Sequence, residues 1–151
     1  MKIAVLISKN VTQERVLIMV GLLVVTHGNF GEELVKSAEL IIGKQDMVKA
    51  INLKPGDNID LLSSAVNSAI KDLDDGSGVI VLTDLFGGSP SNAVASNMRR
   101  LHFKSITGIN LPMLIECLTS RKTIAMDGLA DLCYKAGRDG IINIEKFFTN
   151  K

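Results

Sequence analysis

From Gly21 onward the spacing of apolar residues changes repeatedly along the chain, and each change marks a new element. The run LLVVT is continuously apolar, as a parallel strand covered on both faces must be. After HGNFG the period lengthens to that of a helix: Leu34, Val35, Ala38, Ile41 and Ile42 recur on one side, and Gly43 closes the segment. MVKAINL reads as a strand with polar interruptions. From Asn58, the residues Leu61, Leu62, Ala65, Val66, Ala69, Ile70 and Leu73 make the single apolar stripe of a second helix, followed by the turn DDGSG. GVIVL is the next strand. Ser89 is placed to cap a helix with Pro90 at its first position, running through Met98 to a basic end at Arg99 and Arg100. KSITGI is a weaker strand, and Pro112 opens a short helix through Leu118. A last helix covers about Ile124 to Ala136 with Gly137 as its stop. IINI then supplies a short C-terminal edge strand.

Strands alternating with amphipathic helices predict an α/β fold, a doubly wound and mainly parallel sheet with helices on both faces. LLVV and VIVL, the most continuously apolar strands, belong at the centre, with MVKAINL and KSITGI at the edges. That ranking gives the spatial order 2-1-3-4. In such a sheet the ligand crevice lies at the carboxyl ends of the first and third strands, where the connections leave in opposite directions. Those ends carry Thr26, His27 and Gly28 on one strand and Thr83 and Asp84 on the other. Topology therefore brings His27 to Asp84.

A carboxylate that accepts the Nδ1 proton of an imidazole sets its tautomer and leaves the Nε2 lone pair outward. It also stabilises the cation formed when Nε2 attacks an electrophile. His27 is thus a candidate nucleophile and Asp84 its orienter. Directly after Asp84, the corner Gly87, Gly88, Ser89 and Pro90 lets backbone amides approach an anion at the start of a helix. A histidine nucleophile beside an anion cradle suggests a phosphoryl group carried on nitrogen. Each piece alone has an ordinary structural reading: a hydrogen-bonding histidine, a turn aspartate, a common way to begin a helix. Their joint placement by strand order is what makes the set informative. His102 reads as a surface residue, and Glu32 and Glu33 as charges favoured at a helix start. A Ser89, His27, Asp84 hydrolase is a rival, weakened because the strained G-x-S-x-G elbow is absent. A regulatory module sensing phosphorylation state would keep the same site.

Composition narrows the classes. The 151 residues suffice for one domain, and 46% hydrophobic with 22% charged residues is ordinary for a globular chain. A formal net charge of +1 and no Lys/Arg run argue against nucleic acid as a partner. Cys117 and Cys133 sit in apolar helical patterns and read as buried thiols, without a metal site or disulfide framework, which suits a cytoplasmic address. The apolar stretch VLIMVGLLVV is about half the length that spans a bilayer. No Walker loop or strand-linked GxGxxG supports nucleotide binding. Residues 1–18 read either as an added strand or as an N-terminal extension, with residues 19–151 as the functional domain.

Three ordered stretches, GLLVVTHGNFGEEL, VLTDLFGGSPSNAV and TGINLPMLIE, also carry a family likeness. Met19 to about Ile142 resembles the mannose-type enzyme IIA domain of the bacterial phosphoenolpyruvate-dependent sugar phosphotransferase system. The resemblance implies a cytoplasmic phosphocarrier without cofactor or metal. Its histidine, here His27 of the (S/T)HG motif, takes a phosphoryl group from the phosphocarrier protein HPr and passes it to enzyme IIB, with membrane permease components engaged indirectly. Asp84 would hydrogen-bond that histidine, and Gly87, Gly88 and Ser89 would hold the phosphoryl group. The resemblance further implies a homodimer that exchanges a C-terminal edge strand, which IINI could provide. Phe86 and Phe30 are the apolar residues expected on the docking face.

Overall fold

The computed structural model describes residues 18–149. Residues 1–17, nearly all of the expected extension, lie outside the described residues. Four parallel strands form the sheet: β1 (Gly21–His27), β2 (Val48–Leu53), β3 (Val79–Thr83) and β4 (Lys104–Thr107), in the order β2-β1-β3-β4. This is the order expected from the apolar ranking. Every residue of β3 is buried, as are the first six of β1, whereas β2 and β4 are only partly covered.

Successive residues of a strand point to opposite faces, and both faces are covered here. Val20, Leu22, Val24, Ile80 and Leu82 pack beneath α1 (Phe30–Ile42), α4 (Leu111–Ser120) and α5 (Met126–Asp139). Leu23, Val25, Val79 and Val81 pack beneath α2 (Ile59–Leu73) and α3 (Ser89–Ala95). The two central strands are therefore continuously apolar, because neither face meets water. Asn58 caps α2 by accepting from the amides of Asp60 (2.7 Å) and Leu61 (3.2 Å). Asn110 caps α4 through the Met113 amide at 3.0 Å.

Several boundaries differ from the sequence reading. The N-cap of α3 is Gly88, with Ser89 and Pro90 as the first two helical residues, and the Ser89 hydroxyl makes no capping bond. That helix ends at Ala95. Beyond it the amides of Asn97, Met98 and Arg100 bond three residues back, so the chain tightens into turns and does not continue to Met98 as helix. Gly137 does not stop the last helix. It lies buried inside α5, where a Cβ would stand 2.5 Å from Met113 Cε, so glycine there permits α5 to pack closely on α4. Gly140 takes the C-cap position.

The expected edge strand at IINI is not formed. Residues 141–143 have no regular structure, and the Asn143 side chain accepts from the Lys146 amide at 3.0 Å, starting helix α6 (Ile144–Thr149). Among the described residues the sheet has four strands.

One buried charge is absent from the sequence reading. Arg121, just past α4, is fully buried and donates to the carbonyls of Val20 (3.4 Å), Met47 (3.1 Å) and Asp46 and to Gln45 Oε1 (3.3 Å). It ties the end of α4 to the amino-terminal ends of β1 and β2.

Candidate functional site

Parallel pairing of β1 with β3 sets Val25 opposite Thr83, so the next turn of each strand delivers His27 and Asp84 to the same place. Asp84 Oδ2 accepts from the His27 backbone amide at 2.9 Å and lies 2.8 Å from His27 Nδ1. Its other oxygen accepts from the Leu85 amide at 2.9 Å. Burial by itself would raise the Asp84 pKa, but the His27 amide, the imidazole and the Leu85 amide together outweigh it. The carboxyl is held below its ordinary value of 3.8 and is ionised at neutral pH.

An ionised carboxylate can only accept, so Nδ1 carries the proton and Nε2 the lone pair. The Asp84 side chain is 15% exposed and the imidazole 48% exposed. The orienting acid is thus sheltered while the ring faces outward. Nε2 forms no hydrogen bond among the described residues.

The backbone around the ring is shaped by small residues. Gly28 turns the chain away from β1 at φ 55°, with its amide bonded to Leu53 O at 2.7 Å. Gly88 lies against the far edge of the imidazole: a Cβ there would stand 2.9 Å from His27 Cε1 and 3.5 Å from Nε2. Any side chain at this position would crowd the nitrogen whose access matters. The Gly88 amide is used inside the turn, donating to Leu85 O at 3.2 Å. Ser89 begins α3 immediately beyond and shares no hydrogen bond with His27. Leu85, Phe86 and Phe30 stand around the site as exposed apolar side chains, Phe86 at 85% exposure.

The remaining expectations fall into place by position. Glu32 and Glu33 both pair with Lys36 at 2.8 Å, a helix-surface arrangement. His102 is exposed next to the start of β4, at the opposite end of the sheet from His27. Cys117 and Cys133 are both buried; hydrogen bonding to Cys133, together with burial, pushes the Cys117 thiol well above its ordinary range. Asn52 went unnoticed in the sequence. It faces Thr26 across β1 and β2 and donates to Glu32 at 2.8 Å, and Lys36 with Asn52 lowers the Glu32 pKa. The one available signal was an amide near the end of a strand with polar interruptions. Thr26, fully buried, accepts from the Gly31 amide at 2.8 Å and anchors α1 just behind His27.

Fold and site define an α/β domain with a carboxylate-oriented histidine at the switch point of a doubly wound sheet. The chain belongs to the family described as PTS system fructose IIA component, whose model matches residues 21–133. It is 36% identical over 124 residues to the PTS system mannose-specific EIIAB component of Escherichia coli strain K12. That match covers 81% of this chain and 38% of the relative, so the chain spans well under half of that protein's length. The PTS system fructose-specific EIIA component of Bacillus subtilis strain 168 is 32% identical over 112 residues, covering 74% of this chain and 77% of its own. Among solved structures, the phosphotransferase system component EIIA from Streptococcus agalactiae superposes with a TM-score of 0.78 at 32% identity, over 85% of this chain and 99% of that one. The protein is therefore an EIIA component of the mannose, fructose and sorbose class. No helix among the described residues is long and apolar enough to cross a membrane.

Proposed function

We propose that this protein is a cytoplasmic phosphocarrier that receives a phosphoryl group from phospho-HPr on His27 Nε2 and passes it to enzyme IIB during sugar uptake, with the membrane permease components engaged only downstream. The observation that carries this reading is the 2.8 Å contact between His27 Nδ1 and an ionised Asp84, which leaves Nε2 unbonded on an exposed ring. We assign the phosphocarrier unit to residues 19–151.

In the receiving step the Nε2 lone pair attacks phosphorus as the bond from phosphorus to the donor's histidine nitrogen breaks. The positive charge gained by the imidazole is shared with Nδ1–H, where Asp84 stabilises it. The passing step reverses these roles: the Nε2–phosphorus bond breaks as the acceptor nitrogen attacks. Both are in-line displacements, so the protein's contribution is positioning and charge stabilisation. Gly87, Gly88 and Ser89 hold the phosphoryl oxygens in this reading, since Gly88 keeps the space beside Nε2 open and the Ser89 amide and hydroxyl follow at once. Phe86, with Phe30 and Leu85, forms the docking face. The working unit is a homodimer, supported by the exposed apolar residues Ile141, Ile142, Ile144 and Phe148 near the C-terminal end of the described chain.

Incubation with phosphoenolpyruvate, enzyme I and HPr followed by intact mass analysis tests the assignment. One phosphoryl group is expected, labile in acid and absent from His27→Ala. A group that persists in His27→Ala, or no gain by the unaltered protein, overturns it.

A further inference from the structure

Away from His27, a groove of about 500 Å³ runs between α2 and the turns that follow α3. One face of α2 lines it with Ser63, Ser64, Asn67, Ser68 and Lys71, and Asn97 and Arg100 face them across the gap. The spacing of the α2 residues, three or four apart with their immediate neighbours, is that of a single helical face, and every member is a hydroxyl, an amide or an ammonium.

Its floor is built in advance. Asn97 is 3% exposed and donates to Ala93 O at 2.9 Å, Ser63 O at 3.1 Å and Ser63 Oγ at 3.2 Å, while its own oxygen accepts from Asn67 Nδ2 at 3.0 Å. Ser63 Oγ also meets Ser96 Oγ at 2.8 Å. The buried amide thus holds two lining side chains in place without consuming Ser68, Lys71 or Arg100, while the Ser64 hydroxyl donates to Asp60 O at 3.0 Å and keeps only its acceptor capacity for a ligand. Preorganised polar groups of this kind lower the ordering cost of binding a ligand.

Its lining carries two cations and no acid. No acidic residue occurs between Leu61 and Lys71 or between Leu85 and Ile115. Asp72, the nearest acid in sequence to Lys71, is occupied by Lys49 at 2.7 Å. Neither Lys71 nor Arg100 forms an ion pair among the described residues. A groove of this size suits a small organic ligand, two uncompensated cations suit a dianion, and the unbonded Ser68 hydroxyl with the acceptor side of Ser64 suits a ligand that itself carries hydroxyls.

We propose that this groove binds a small phosphate monoester bearing several hydroxyl groups, with Lys71 and Arg100 on the phosphate and Ser64 and Ser68 on the hydroxyls. The site is independent of the phosphocarrier reading, because none of these residues touches His27 or Asp84.

The test is a titration of the full chain followed by amide resonances, using glucose 6-phosphate and inorganic phosphate at constant ionic strength. Saturable shifts are expected across residues 63–71 and 97–101, tighter for the sugar phosphate than for phosphate alone. Lys71→Gln with Arg100→Gln should weaken binding at least tenfold while thermal melting stays as in the unaltered protein, both side chains being exposed. His27→Ala should titrate normally, which separates this site from the phosphocarrier assignment. The proposal is overturned by shifts confined to His27 and Gly88, by equal affinity for the two probes, or by unchanged affinity in the double variant. It is equally overturned if an acidic protein shifts these resonances and neither small anion does.

Discussion

The two ends of the sheet treat charge in opposite ways. At the carboxyl end, Asp84 is sheltered but His27 is half exposed, with Nε2 free. At the amino end, Arg121 is fully buried and its guanidinium is surrounded by the carbonyls of Val20, Asp46 and Met47 and by the Gln45 side chain. Burial lowers the Arg121 pKa from its ordinary value, and the carbonyl acceptors offset part of the desolvation. One end keeps a lone pair available for chemistry. The other uses its buried guanidinium to join three segments, so substitution should separate function from stability across the molecule.

The largest expected effects come from the two anchoring residues, in opposite assays. Asp84→Asn should lower the rate of phosphoryl transfer through His27 on the order of 10²-fold or more, since the amide neither enforces the Nδ1–H tautomer nor offsets the imidazolium charge. Its midpoint in urea should move little by comparison. Arg121→Met should do the reverse, losing about 2–4 kcal/mol of stability as buried carbonyls lose their donor, with transfer per folded molecule unchanged. Equal stability losses in the two variants would erase the contrast between the ends.

A smaller effect is expected at the rim. Phe86→Asp places a charge on the exposed apolar face and should slow transfer from phospho-HPr about tenfold, leaving stability within about 0.5 kcal/mol. Transfer at the normal rate would remove Phe86 from the docking face. Smallest of all is an acid-range effect. Because the Asp84 pKa is lowered on folding, its stabilisation is present above the unfolded carboxyl value of 3.8 and is lost as pH falls through the lower folded one. Thermal melts of Asp84→Asn should therefore fall less steeply with acid below about pH 4 than those of the unaltered protein; parallel curves would deny the lowered pKa.

Much of the central architecture was legible because burial on both faces imposes a pattern that polar strands cannot imitate. Continuous apolar runs marked β1 and β3 as neighbours, and that single inference carried His27 to Asp84. Local signals were weaker guides to the ends of elements. Gly137 resembles a helix stop in sequence, yet it serves the contact between α5 and α4, a requirement set by Met113 some two dozen positions away. IINI has strand composition, but Asn143 starts a helix there. Asn97 and Arg121 left no periodic signature, since each bonds partners that are distant in the chain, Ser63 for Asn97 and Met47 for Arg121.

Periodicity along the chain determined the kind of elements, their ranking within the sheet and the pairing of histidine with aspartate, because hydrophobic burial acts residue by residue and leaves its record in order. Tertiary structure decided the openness of Nε2 beside Gly88, the polar floor of the α2 groove and the carbonyl cage around Arg121. Those depend on backbones from separate segments meeting at hydrogen-bond distance, a geometric condition that spacing along one strand or helix does not encode.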